Sequence, residues 1–113
     1  MRALFSLPLA ALLLTASTTL SLAADDGESR DLVIKNHVFS PAEITVPAGK
    51  RVAIHIKNMD TTAEEFDSSA LKVEKVIAGG GEGTVHLRPL APGRYKFEGE
   101  YHEKTAQGVV IAQ

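Results

Sequence analysis

The chain has 113 residues, with 12 Lys and Arg against 14 Asp and Glu, four His, no Cys and no Trp. That length supports one domain, and a formal charge of −2 argues against the clustered basic surface of a nucleic-acid binder. Without Cys there is no disulfide, no thiolate nucleophile, no zinc knuckle and no Cys-ligated blue-copper centre.

Residues 1–23 read as a signal peptide. Arg2 is the only charge before Asp25, and Ala3 to Leu14 form an apolar run. Hydroxyl residues dilute the stretch after that, and Ser21-Leu22-Ala23 supplies the small residues that a signal peptidase needs at a cleavage site. The expected mature chain is therefore exported to the periplasm and begins at Ala24. Residues 24–30 are polar and acidic and read as a flexible leader. Residues 31–113 then form the folded domain.

Along that domain the hydrophobic period is 2. Val52, Ile54 and Ile56 alternate with Ala53, His55 and Lys57; Val85 and Leu87 alternate with Thr84, His86 and Arg88. Tyr95, Phe97 and Gly99 alternate with Lys96, Glu98 and Glu100, and Val109 and Ile111 share a parity. Turn signals at Ser40-Pro41, Pro47-Ala48-Gly49, Gly79 to Gly83 and Pro89 to Gly93 separate the runs. About seven short strands at such spacing predict an all-β, antiparallel sandwich. Only residues 60–78 lack a clear period, and Ser68 to Glu74 fits a short helix, a turn or an irregular strand equally well.

Two stretches concentrate acidic groups. One leaves the Val52–Ile56 strand and carries Glu64, Glu65 and Asp67; the other, Glu98 to Glu103, holds Glu98, Glu100, His102 and Glu103. Carboxylates this close repel one another, so the arrangement suits a fully solvated face or a bound cation. His55 and His86 lie on the polar parity of their strands and read as exposed. His37 ends the first strand, where a sandwich can bring it near the loop from Met59 to Phe66. The glycine run lacks the Gly-Lys-Ser/Thr ending of a phosphate loop.

Taken in order, Phe39-Ser-Pro-Ala-Glu-Ile-Thr-Val-Pro-Ala-Gly49, Val52-Ala-Ile-His-Ile-Lys-Asn58-Met-Asp60, Leu90-Ala-Pro-Gly93-Arg-Tyr-Lys-Phe97, His102 and Gly108-Val-Val-Ile111 resemble a cupredoxin. The resemblance implies a Greek-key β-sandwich with a metal at one end. It also implies a His where Glu64 stands, a Cys where Gly99 stands and a Met among residues 105–107; of the family ligands only His102 is kept. The Glu64-Glu-Phe-Asp67 run, the Glu74 to Gly83 stretch and the Gly99 to Gly108 ending resemble the narrower EfeO-type cupredoxins. These are periplasmic partners of Ftr-type ferrous iron uptake systems.

That resemblance implies binding of copper, iron or both, action beside an inner-membrane iron permease, and ferroxidase-type activity as one form of its work. The expected metal site draws on His102, Glu64, Glu65, Asp67, Glu98 and Glu103, with the sequence leaving open which of Glu64, Glu65 and Asp67 touches the ion. Two other readings stay open: a cupredoxin-fold binding module that has lost its metal, and a non-blue copper electron carrier.

Overall fold

The computed structural model describes residues 3–5 and 27–113. Apart from residues 3–5, the expected signal peptide lies outside the described residues, as do residues 24–26 of the expected leader. The described residues form nine strands: β1 (Glu28–Lys35), β2 (Val38–Ser40), β3 (Glu43–Val46), β4 (Val52–Asn58), β5 (Glu64–Ser68), β6 (Val73–Ile77), β7 (Glu82–Leu87), β8 (Gly93–Gly99) and β9 (Gln107–Ala112). One turn of 3-10 helix, Glu100–His102, joins β8 to β9.

The strands make two sheets, ordered β2-β1-β4-β7 and β3-β9-β8-β5-β6. Each is mixed, because β1 runs parallel to β4 and β3 runs parallel to β9 while the other pairs are antiparallel. The all-β sandwich read from the period of 2 is thus the observed architecture. Strands beyond the seven or so expected arise where periodicity has least room to show, in the three-residue β2 and in the 60–78 stretch. The leader is shorter than predicted: Glu28, Ser29 and Arg30 belong to β1, in register with Val52, Ala53 and Ile54. Their polar side chains are tolerated because the ladder needs only their backbone groups at this strand end.

Alternation builds the core. Leu32, Ile34, Ile54, Ile56, Val85 and Leu87 enter from the first sheet, meeting Ile44, Phe66, Ile77, Phe97 and Val110 from the second. The rings of Phe39, Phe66 and Phe97 form its centre, with centroids 4.9–6.0 Å apart. On β9 the fully buried parity is Val110 and Ala112, whereas Val109 and Ile111 are half-buried. Gly108 sets that phase, since a Cβ there would lie 2.2 Å from the Phe97 ring.

The ambiguous 60–78 stretch resolves as strand, turn, strand. Ser68 Oγ donates to Lys96 O at 2.5 Å and accepts from Leu71 N at 2.9 Å, a side chain-to-backbone pattern that closes a turn in preference to a helix. Leu71 is then buried in the core, and Lys72 takes a left-handed φ of 59° to start β6.

Candidate metal centre

Three polar side chains meet at one end of the sandwich. His37 comes from the β1–β2 turn, Glu64 from the start of β5 and His102 from the end of the 3-10 turn, and a ligand atom from each lies within 4.8 Å of the others. The imidazole rings of His37 and His102 are stacked, with centroids 3.6 Å apart and planes 14° from parallel.

The Asn58-Met59-Asp60 sequence at the β4 exit builds the first side of this centre. Asn58 is buried and donates through Nδ2 to Thr62 O at 2.9 Å and Ile77 O at 3.2 Å, while its Oδ1 accepts from Asp60 N at 3.0 Å. That Asx turn aims the Asp60 carboxylate at the β1–β2 hairpin, where it accepts from Asn36 N at 2.7 Å and His37 N at 2.9 Å. Both turn residues have left-handed backbones, φ 53° and 58°, as a two-residue primed hairpin turn requires. Asp60 also lies 3.5 Å from His37 Nδ1. The His37 backbone N–H, with help from Asn36 N–H and against some desolvation, holds the Asp60 carboxyl below its ordinary range.

Glu64 builds the other side. It is 1% exposed, yet every polar contact it needs is present: Oε1 accepts from Glu65 N at 3.1 Å and Tyr101 N at 3.0 Å, and Oε2 is 2.5 Å from His102 Nδ1. An ionised carboxylate only accepts, so His102 Nδ1 carries the proton in this contact. The carboxylate occupies the space where the resemblance implies a thiolate. A Cβ on Gly99 would sit 2.6 Å from Glu64 Cδ and 2.7 Å from Ala106 Cβ.

This donor set does not fit a blue-copper centre, which needs a Cys thiolate. It does fit a copper or iron ion held by nitrogen and oxygen. Two imidazoles and a carboxylate are the ligand class of Cu(II) and of the two-His, one-carboxylate non-haem iron sites.

Of the residues expected from the sequence, the structure brings together only Glu64 and His102. His37 completes their cluster. Glu65 points to the opposite face of β5, since adjacent strand residues alternate; it meets Glu74 and Glu100, with ligand atoms within 4.8 Å. The Glu74 carboxylate, with which a protonated Glu65 would share its hydrogen, then burial, then Glu100, push Glu65 from 4.5 up to about 7. Asp67 shares the outer face and stands opposite Glu98 of β8, away from the imidazoles. Glu103 is exposed after the 3-10 turn, with its backbone oxygen accepting from Gln107 Nε2 at 2.9 Å. The signal for His37 in the sequence was its place at the end of the first strand, within reach of the loop from Met59 to Phe66.

Structural likeness points the same way as the fold. Auracyanin A, a "blue" copper protein from Chloroflexus aurantiacus, matches with a TM-score of 0.63 at 17% identity, covering 75% of this chain and 98% of that one. The reduced auracyanin of Roseiflexus castenholzii matches at 0.62 and 16% identity, covering 75% and 96%, and a purple cupredoxin of Nitrosopumilus maritimus at 0.59 and 16%, covering 74% and 99%. In sequence, an uncharacterized protein of Rickettsia prowazekii (strain Madrid E) is 39% identical over 80 residues, or 71% of this chain and 64% of its own length. The chain thus spans slightly less than two thirds of that relative. A family model described as Cupredoxin-like domain matches residues 6–112, nearly the whole chain. The chain belongs to the cupredoxin-like domain family.

Proposed function

We propose that this protein is a periplasmic metal carrier of the EfeO type, binding copper or iron through His37, Glu64 and His102 and acting in ferrous iron uptake beside an inner-membrane iron permease. The observation that carries the reading is the replacement at the heart of the centre: the Glu64 carboxylate fills the space over Gly99, so a thiolate site has become a nitrogen-and-oxygen site. Hard oxygen donors suit Cu(II) and iron better than Cu(I). A copper bound there would supply a one-electron acceptor for ferrous iron, the substrate of a ferroxidase step.

The chain's own residues divide the work. Glu64, held by two backbone N–H groups, presents its carboxyl group in a fixed orientation. His102 Nδ1 and Glu64 Oε2, side by side, would both hold a bound cation, the imidazole doing so with its Nδ1 proton lost to solvent, and Asp60 fixes the backbone that carries His37. Val38, Met59 and Tyr101, chain neighbours of His37, Asp60 and His102, are 46%, 52% and 51% exposed. Exposed apolar side chains next to a metal centre suit docking on a partner protein.

The test measures Fe(III) formation by the Cu(II)-loaded chain offered ferrous iron, and radioiron uptake by cells carrying the permease with and without the chain. Uptake raised by the chain and not by His102→Ala is the expected result. Uptake that is indifferent to the chain contradicts the iron role and leaves the metal centre to be judged separately.

A further inference from the structure

The two imidazoles of the proposed centre lie in an arrangement that a single ion cannot use as it stands. Their rings are stacked, with centroids 3.6 Å apart and planes 14° from parallel. The lone pair of an imidazole nitrogen lies in the plane of its ring, so an ion bound to that nitrogen lies in or near the same plane. An ion joined to both rings must therefore lie in both planes at once. Planes this close to parallel meet far beyond the roughly 2.0–2.1 Å reach of a metal–imidazole bond. The gap between the rings is no alternative, because it presents two π-faces and no lone pair.

The same groups satisfy one another without an ion. His102 Nδ1 is 2.5 Å from Glu64 Oε2, and Glu64 Oε1 accepts from Glu65 N and Tyr101 N. Among the described residues, no buried side-chain nitrogen or oxygen lacks a partner. The stacked form is thus a closed state, complete in itself.

The three side chains are held with unequal firmness. Glu64 is buried under two backbone N–H groups, and the His102 ring is pinned by Glu64. The His37 side chain is 42% exposed, and its ring approaches Asp60 Oδ2 only to 3.5 Å. Its backbone, by contrast, is fixed by the bond from His37 N to the Asp60 carboxylate, so its freedom lies in the side-chain torsions.

We infer that the His37–His102 stack is a closure over the metal centre, which opens when an ion binds. His37 swings out of the stack through the larger angle, His102 turns beside it, and Glu64 keeps its place. Loading and release are then one motion in opposite senses, since restacking rejoins His102 to Glu64 in place of the ion. The closed population lowers the apparent affinity in proportion, which suits a carrier that must give its metal up. This inference rests on the metal reading of the site and not on its role in iron uptake.

The test uses the mature chain labelled with carbon-13 and nitrogen-15 at histidine, with Zn(II) alone as a diamagnetic probe. Ring-nitrogen chemical shifts read ligation, and residual dipolar couplings of the ring C–H bonds read the angle between the planes. Near-parallel rings are expected without metal. With saturating Zn(II), nitrogens of both rings are expected to reach metal-bound shifts while the planes open well beyond 14°. Rings that are not parallel in the metal-free chain, rings that stay parallel while both are ligated, or ligation of only one ring would overturn the inference and leave the metal site standing. Zn(II) that shifts neither ring would overturn the inference together with the metal reading. Opening on Zn(II) in a chain that leaves iron uptake unchanged would support the inference and remove only the iron role.

Discussion

Glu64 illustrates how much one residue can decide. Its carboxylate sits where a Cβ on Gly99 would collide, so the small residue and the buried acid form a matched pair. Replacing Gly99 with Ala should therefore destabilise the fold by about 1–3 kcal/mol, the usual cost of overpacking, as read from a urea midpoint with unchanged slope. A midpoint equal to the parent's would show that Glu64 does not fill that space. Glu65, one residue on, carries a different prediction. Its raised pKa means that the native state holds a proton the unfolded chain has already lost. The contribution of this group is therefore fully present below about pH 4.5 and is lost as pH rises through about 7. In metal-free protein, Glu65→Gln should flatten the fall in melting temperature across that interval. An unchanged pH profile would refute it.

Residue identity alone made Glu64 and His102 candidates, but it offered Glu65 and Asp67 equally. Only the phase of β5 separates them, and that phase was illegible because Glu64, Glu65, Phe66 and Ser68 are all buried, erasing the alternation from which phase is read.

At the level of elements, the decisive unit is the β1–β2 hairpin clamped by the β4 exit loop. Asp60 accepts both N–H groups of the Asn36–His37 turn, and Met59 N donates to Ile34 O at 2.8 Å, so two sequence-distant segments behave as one rigid platform for His37. Asp60→Ala should lower the melting temperature and weaken metal binding together, although Asp60 need not touch the ion. Binding unaffected in the face of a lowered melting temperature would show that His37 is not positioned by the clamp. Because the Asp60 carboxyl is held below 3.8, its contribution is present above that value and is lost as pH falls through the lowered pKa. Asp60→Asn should therefore lose part of the acid-unfolding limb that the parent shows.

The Asn58-x-Asp60 pattern was visible in the sequence as a strand exit, but its work as a clamp was not, since nothing in a linear chain says that residues 36 and 60 meet. The place of His37 at the end of the first strand allowed an approach to the Met59–Phe66 loop, but not the Asp60 contacts that fix it there. The strands with two-residue alternation, β4 and β7 above all, were legible because each has one face in the core and one toward solvent.

Across the whole molecule, the sandwich keeps the cupredoxin plan while the centre at its end has changed chemistry. The plan could be read from period, turn residues and their order, since these follow from burial and backbone sterics. The centre could be read only in part, because its three side chains come from three separate elements joined by tertiary packing. In the proposed centre His37 and His102 supply two imidazole ligands beside Glu64. The most direct measurement is Cu(II) EPR on the chain with uniformly nitrogen-15-labelled histidine. Saturable binding is expected, with hyperfine coupling to two imidazole nitrogens, reduced to one in His37→Ala and in His102→Ala. Coupling to neither histidine, or a spectrum unaltered by His37→Ala, would contradict it.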